Sequence, residues 1–481
     1  MTNMLPDLII RHGTVIDGTG AQRMSVDVAV TGDRITAIGD LAHLSAPQEI
    51  DATGRIVAPG FIDVHTHDDR LLLSHPAMTP KLSQGVTTVV TGNCGISLAP
   101  LKATDRPPPP LDLLGDRPWY RFATFAEYIA ELESHPPAIN TAPMVGHSTL
   151  RVAAMADVRQ PASPAEIETM RSLLQEALDA GAIGFSTGLF YPTNKPAPKE
   201  EVIALAALLA PVGGIYTTHM RDEADDVEKS LDETFATAQA AGVPVVISHH
   251  KCSGRANWGR SVQTLQKIDQ ARSRQLVGLD VYPYAASSTV LMPELMDDQL
   301  RTRITWSEAA PEMAGQDLSA IAAQWGCSQT EAAARLQPAG AVYFQMDEAD
   351  VQRILAYPHT MVGSDGLPHD RFPHPRLWGA FPRVLGHYAR DLGLFSLEEA
   401  VHRMTGLSAA QFRLRDRGVL QPGAFADITV FDADTILDQA SFEEPTRPAS
   451  GIEYVVVNGA IAWNARGTTD SRTGRVLKRP A

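Results

Sequence analysis

An apolar run, FIDVHTH over residues 61–67, ends in two histidines separated by one residue. Residues i and i+2 of a strand face the same side, so His65 and His67 can reach one metal ion together. A hydrogen-bonded pair of imidazoles at a strand end is the other reading of HxH. Asp63, Asp68 and Asp69 lie alongside, and four further candidate ligands close other apolar runs: Cys94 in TTVVTGNC, His219 in GIYTTHM, His249 in PVVISHHK and Asp365 in HTMVGSDG. An unpartnered imidazole is costly to bury, so apolar runs that repeatedly end this way point to a metal site. Taken alone, Cys94 would be a small buried hydrophobe and Asp365 a turn residue. At the end of a strand beside a metal, Asp365 becomes a candidate general base that passes a proton to a leaving group. His219 and His249 are 30 residues apart, about one β/α unit. His250 follows His249, and strand parity separates the two without saying which faces inward.

Positioning such residues requires parallel strands that end on one side. Eight apolar runs are present: 61–67, 87–94, 139–148, 182–189, 214–220, 244–251, 275–284 and 359–366. Amphipathic helical patterns separate several of them. The clearest covers 166–181, with Ile167, Met170, Leu174 and Leu178 at helical spacing and Gly181 as its stop. The pattern predicts an α/β fold, a (β/α)8 TIM-like barrel over 60–415, with a doubly wound sheet as the rival. Alternating segments at both ends predict a small β-sandwich module built from 1–59 and 416–481. An insertion between strands 7 and 8, residues 285–357, is expected to cover the barrel mouth. The proline-rich stretch 106–118 reads as a surface loop.

The formal charge of −15 argues against nucleic acid or an anionic membrane as partner. The first residues, MTNMLPDLII, lack the features of a signal peptide, and no window has the roughly 20 apolar residues needed to span a bilayer. Three scattered cysteines without CxxC pairing fit a reduced, cytoplasmic setting better than a disulfide framework.

Together, GFIDVHTHDD, GVTTVVTGNCGIS, THMRDE, SHHK, GSDGLPHD and LQPGAFADITVFD resemble the amidohydrolase superfamily. Within it they are most similar to the N-acyl-D-amino-acid deacylase (D-aminoacylase) branch, over nearly the whole chain. Hydantoinases and dihydroorotases of the superfamily bridge two metals with a carboxylated lysine on the fourth strand. Here the fourth run has no lysine before Lys195. In the deacylase branch a cysteine takes that role, and the match falls on Cys94. The resemblance implies a tightly held zinc on Cys94, His219 and His249, choosing the first histidine of SHHK. His65 and His67, with Asp365, would contribute to a second, weaker metal site.

The reaction implied is hydrolysis of an N-acyl-D-amino acid to a carboxylate and a free D-amino acid, with Asp365 as base and then acid. Lys251, Tyr282, Ser288 and Arg376 would hold the substrate's carboxylate; arginine suits a bidentate clamp. Phe190, with Tyr191 beside it, Tyr343 and Met346 match positions lining an apolar side-chain pocket, which implies hydrophobic D-amino acids such as methionine, leucine or phenylalanine. In MPELMDDQ, Asp297 and Asp298 stand where an apolar wall residue is expected. The rival readings are a cyclic amidase or D-dipeptidase and, from a different class, a non-catalytic scaffold.

Overall fold

In the computed structural model, which describes residues 5–297 and 299–479, each of the eight apolar runs carries a short strand. These are β1 (Phe61–Asp63), β2 (Val86–Thr91), β3 (Asn140–Pro143), β4 (Gly184–Gly188), β5 (Ile215–His219), β6 (Val245–Ile247), β7 (Val277–Val281) and β8 (Thr360–Val362). Every residue in them is buried, as expected where parallel strands are covered on both faces. β1, β2 and β3 pair in parallel in that order. The short strand Val145–Gly146 then starts a second parallel run through β4, β5, β6, β7 and β8. A parallel bridge from Thr66 to Gly366 joins the residues that follow β1 and β8. The chain is therefore a mixed α/β fold in which consecutive strands lie side by side and their C-terminal ends gather.

The helices follow their local chemistry. The helix Pro164–Ala180 begins with a Ser163–Glu166 capping box and proline at its first position, and it ends at Gly181 with φ 111°. It buries Met170, Leu174, Ala177 and Leu178, while Ile167 is only partly buried.

Both ends of the chain enter β-sheets outside this set. Ile428–Phe431 runs antiparallel to Ile56–Pro59, placing residues from the two ends in one seven-stranded sheet. That sheet shares a core with a four-stranded sheet through Leu8, Ile10, Val28, Val57, Ile428 and Val456. The last described residues leave it: Thr141 N–H donates to Arg475 O and Leu477 N–H to Thr141 O, so the tail lies along β3.

Between β7 and β8, strands Ser287–Val290, Thr302–Ser307 and Ala339–Tyr343 form an antiparallel sheet with helices Leu318–Trp325 and Gln329–Leu336. This segment has its own core, including Ile304, Ile321, Leu336 and Tyr343. The proline-rich stretch departs from a plain surface loop: Leu111, Leu113 and Leu114 are buried, and Tyr120 Oη donates to Leu111 O. Its leucines outweigh its prolines, because short turns need no continuous helix to place an apolar side chain in a core.

Candidate metal centre

Three of the sequence-predicted site residues sit in left-handed backbone at strand ends: Cys94 at φ 53°, His249 at 37° and Asp365 at 50°. Such conformations cost energy for non-glycine residues and collect at functional sites. The Cys94 loop is pressed against its neighbours. A Cβ on Gly92 would lie 2.1 Å from Met144 O, and one on Gly95 would lie 2.8 Å from Gly188 N. The flanking glycines thus answer to close backbone approach. Ser186 of β4 braces the same loop, accepting from Gly95 N–H at 2.9 Å and donating to Gly92 O.

These turns bring six side chains together. Cys94 Sγ lies 3.1 Å from His65 Nε2 and 3.3 Å from His249 Nε2. Asp365 Oδ1 lies 3.2 Å from His67 Nε2 and 3.5 Å from His65 Nε2. The donor atoms form two groups, each within 4.8 Å: His65, His67, Cys94 and Asp365, and Cys94, His219 and His249. Cys94 belongs to both, and all six residues are buried. The set fits zinc: thiolate, imidazole and carboxylate are its usual ligands, and buried ring nitrogens of His67 and His219 lack any hydrogen-bond partner. His250 is turned away to Thr264 Oγ1 at 2.8 Å, and burial pushes its pKa down to about 4.

Electrostatics favour the anionic forms of Cys94 and Asp365, and the same attraction raises the pKa of His65, His67 and His249. Burial opposes a thiolate at Cys94, yet the charges of His65 and His249 and a hydrogen bond from His219 hold its pKa well below the usual thiol range. Burial likewise opposes a carboxylate at Asp365, and Arg376, His65 and His67 overcome it. The Arg376 guanidinium is 2.9 Å from Asp365 Oδ2 and donates to Ser288 O at 2.9 Å.

Two carboxylates behind the imidazoles were not singled out from sequence. Asp280 of β7 lies 3.2 Å from His65 Nδ1 and accepts the His249 N–H at 2.9 Å. Glu223 lies 3.1 Å from His249 Nδ1 and 3.5 Å from His219 Nε2. An acidic residue inside the apolar run GLDVYPY was the available signal for Asp280. For Glu223 it was a carboxylate four residues after His219.

Asp63 and Asp68 belong to a separate buried network. Lys81 Nζ lies 2.7 Å from Asp63, 3.2 Å from Asp68 and 2.8 Å from Ser364 Oγ. Asp63 Oδ1 also accepts the Ser364 N–H at 2.8 Å, securing the loop that carries Asp365. Asp69 accepts the Gly92 N–H at 3.3 Å, and burial raises its pKa to about 7.

Several of the expected substrate contacts touch this centre. Lys251 Nζ bonds both Glu223 oxygens, at 2.8 and 2.7 Å, and lies 2.7 Å from His249 Nδ1. Tyr282 packs under Arg376, 4.4 Å from guanidinium carbon to ring centroid. Ser288 Oγ is buried without a partner. Phe190 stacks on His219 at 5.2 Å, and Tyr191 lies 5.0 Å from the same ring, its hydroxyl 2.9 Å from Thr289 Oγ1. Met346 Sδ is 3.6 Å from Tyr282 Oη. Tyr343 sits inside the core of the inserted segment, where its hydroxyl donates to Val290 O and accepts from Met292 N–H. Asp297 is exposed and accepts the Gln299 and Leu300 N–H groups, both at 2.7 Å, so it closes a turn. Asp298 lies outside the described residues.

Cys94, shared between two sets of histidines at the ends of parallel strands, gives this α/β scaffold two groups of side chains able to hold a metal ion. The amidohydrolase family model matches residues 48–462, and the chain belongs to that family. It is 56% identical over 475 residues to the D-aminoacylase of Alcaligenes xylosoxydans xylosoxydans, covering 99% of this chain and 98% of that protein. It is 50% identical over 476 residues to the N-acyl-D-glutamate deacylase of the same organism, covering 99% and 97%. A D-aminoacylase crystal structure superposes with a TM-score of 0.97 at 56% identity, over 98% of this chain and 100% of that one. Work on the binuclear centre of D-aminoacylase describes activation by one metal and attenuation by the second. The N-acyl-D-glutamate deacylase of Bordetella bronchiseptica, bound to zinc and a phosphonate mimic of the tetrahedral intermediate, gives a TM-score of 0.95 at 49% identity, over 99% of this chain and 100% of that chain.

Proposed function

We propose that this protein is a zinc-dependent N-acyl-D-amino-acid deacylase, splitting a linear amide into a carboxylate and a free D-amino acid. The observation that carries this reading is Cys94, one thiolate within ligating distance of both histidine sets. Its weight comes from near full-length similarity to the D-aminoacylase. Zinc, when bound, polarises the amide carbonyl and makes water a better nucleophile. His219, His249 and Cys94 would hold the tight ion, and His65 and His67 with Asp365 and the shared Cys94 would hold the weaker one.

Asp365 rests as a carboxylate with one oxygen on Arg376 and the other toward His67. The free lone pairs of that second oxygen accept the proton of the attacking water. The same oxygen then returns the proton to the departing amine. Lys251, Tyr282, Arg376 and the unpartnered Ser288 Oγ serve the substrate's carboxylate. Phe190, Tyr191 and Met346 offer the amino-acid side chain apolar surface and no cation, which favours methionine, leucine or phenylalanine over an acidic side chain.

The order of β1 to β8 and the Thr66–Gly366 bridge support closure as a (β/α)8 barrel over 60–415. The paired terminal strands support a β-module of 1–59 and 416–481, and the contacts of Tyr191 with Thr289 and of Arg376 with Ser288 O support a place for the inserted segment 285–357 at the mouth. No helix among the described residues is long and apolar enough to cross a membrane. Cys94, Cys252 and Cys327 are all free, which suits a cytoplasmic setting.

The test is a panel of N-acetyl-D- and L-methionine, -leucine, -phenylalanine and -glutamate, with hydantoins and dipeptides, before and after chelation. Zinc-restored turnover confined to N-acetyl-D-amino acids with apolar side chains is expected. Absence of turnover on every acetyl-D-amino acid would overturn the reading.

A further inference from the structure

Glu223 has no part in the mechanism above, yet it is the most heavily used side chain around it. It lies in the loop after β5, and its side chain is about 10% exposed. One oxygen lies 3.1 Å from His249 Nδ1 and the other 3.5 Å from His219 Nε2. Both also hold Lys251 Nζ, at 2.8 and 2.7 Å. Its own carbonyl accepts the Ser253 N–H at 2.7 Å, which ties the loop after β5 to the loop after β6.

The arrangement meets two needs at once. An imidazole that gives one nitrogen to a metal must place its other N–H on an acceptor, and that acceptor fixes ring orientation and basicity. His249 turns Nε2 toward Cys94 and Nδ1 toward Glu223 at 3.1 Å, with the Lys251 ammonium that Glu223 neutralises crowded against the same nitrogen at 2.7 Å. His219 turns Nε2 toward Glu223, while its Nδ1 is buried without a partner beside the cluster. A buried ammonium also needs a counter-charge, and Glu223 supplies it to Lys251, which is 4% exposed.

We propose that Glu223 is a positioning residue that couples the tight zinc site to the anchor for the substrate's carboxylate. It backs both imidazoles of the Cys94 set and sets where the Lys251 ammonium stands. Zinc affinity and substrate affinity therefore depend on one carboxylate that touches neither reacting atom. This inference rests on the deacylase reading.

The experiment compares wild-type protein with Glu223→Gln, Glu223→Ala and Glu223→Asp. Zinc dissociation constants are measured by chelator competition, kcat and KM with an N-acetyl-D-amino acid at saturating zinc, and folding by circular dichroism. Loss of the backing carboxylate should raise the zinc dissociation constant roughly 10–100-fold in Glu223→Ala. Glu223→Gln, of nearly equal volume, should show a smaller rise in the same direction and remains informative if the alanine variant does not fold. KM should rise more than kcat falls, because Lys251 loses its partner, and Glu223→Asp should recover part of both effects. A folded Glu223→Gln or Glu223→Ala protein with zinc affinity and KM both within about twofold of wild type would overturn the proposal. Wild-type protein that neither binds zinc nor cleaves the substrate would instead overturn the deacylase reading on which the proposal rests.

Discussion

The two histidine pairs of this centre are held by different means. His219 and His249 come from neighbouring strands, β5 and β6, and lean on one shared carboxylate, Glu223. His65 and His67 come from one segment after β1 and lean on separate groups, Asp280 behind His65 and Asp365 beside His67. A carboxylate that only backs an imidazole can be locked in place, as Glu223 is by Lys251. A carboxylate that must take up and release a proton needs an oxygen facing the reaction, and Asp365 gives one oxygen to Arg376 and turns the other toward the cluster, 3.2 Å from His67 Nε2. On the proposed reading the difference separates support of the metal-binding imidazoles, through Glu223, from proton transfer, through Asp365. Cys94 belongs to both groups of donor atoms.

That contrast orders the expected effects of mutation. Cys94→Ala removes the ligand common to both sets, so zinc content by mass spectrometry and turnover should both fall to background. Retention of stoichiometric zinc would make Cys94 a packing residue. Asp365→Ala should lower kcat by about 10²–10⁴-fold while one equivalent of zinc stays bound, which separates catalysis from retention. Near-wild-type kcat in that variant would remove Asp365 from the acid–base role. Asp280→Asn should weaken metal affinity at the His65–His67 set by about 10-fold and leave the first equivalent of zinc tightly held, as titration calorimetry would resolve. The smallest effect lies away from both pairs. Glu201 is buried with His147 at 2.9 Å and Arg151, in a trio that also holds Thr193 O at 2.7 Å. Burial opposes its ionisation, but His147 and Arg151 lower its pKa from 4.5 to about 2. A depressed folded pKa contributes stability above the unfolded value, lost as pH falls from about 4.5 toward about 2. Glu201→Gln should flatten that acid limb in thermal melts, with zinc affinity at neutral pH unchanged.

The residues legible in the sequence were those whose chemistry clashes with their surroundings. Histidines and a cysteine ending apolar runs stood out because such strands seldom end in ligating groups without a partner. His249 and His250 could not be separated by parity alone, since the residue after Ile247 already leaves β6 and the chain turns into left-handed backbone at His249. Glu223 and Asp280 were missed for a different reason. Their significance depends on β5, β6 and β7 lying side by side, and an acidic residue near a strand end is ordinarily solvated. The same limit applies to the ion pair of Arg376 with Asp365, which depends on how the segment after β8 folds back on itself. The hydroxyl of Tyr343 pairs with Val290 O and Met292 N–H inside the inserted segment, an arrangement that spacing in the sequence does not announce. The leucines of 111–114 were hidden by the prolines around them, because propensity describes the backbone and says nothing of where a side chain can pack.

The central claim is that one thiolate, Cys94, holds metal for both histidine pairs. Substituting cobalt for zinc and recording the near-ultraviolet spectrum tests it most directly, because a thiolate bound to cobalt gives a charge-transfer band that imidazole and carboxylate do not. The band should appear in the wild-type protein and in Asp365→Ala, and it should vanish in Cys94→Ser while Cys252 and Cys327 remain. A cobalt-loaded wild-type protein without the band, or a Cys94→Ser protein that keeps it, would contradict the claim.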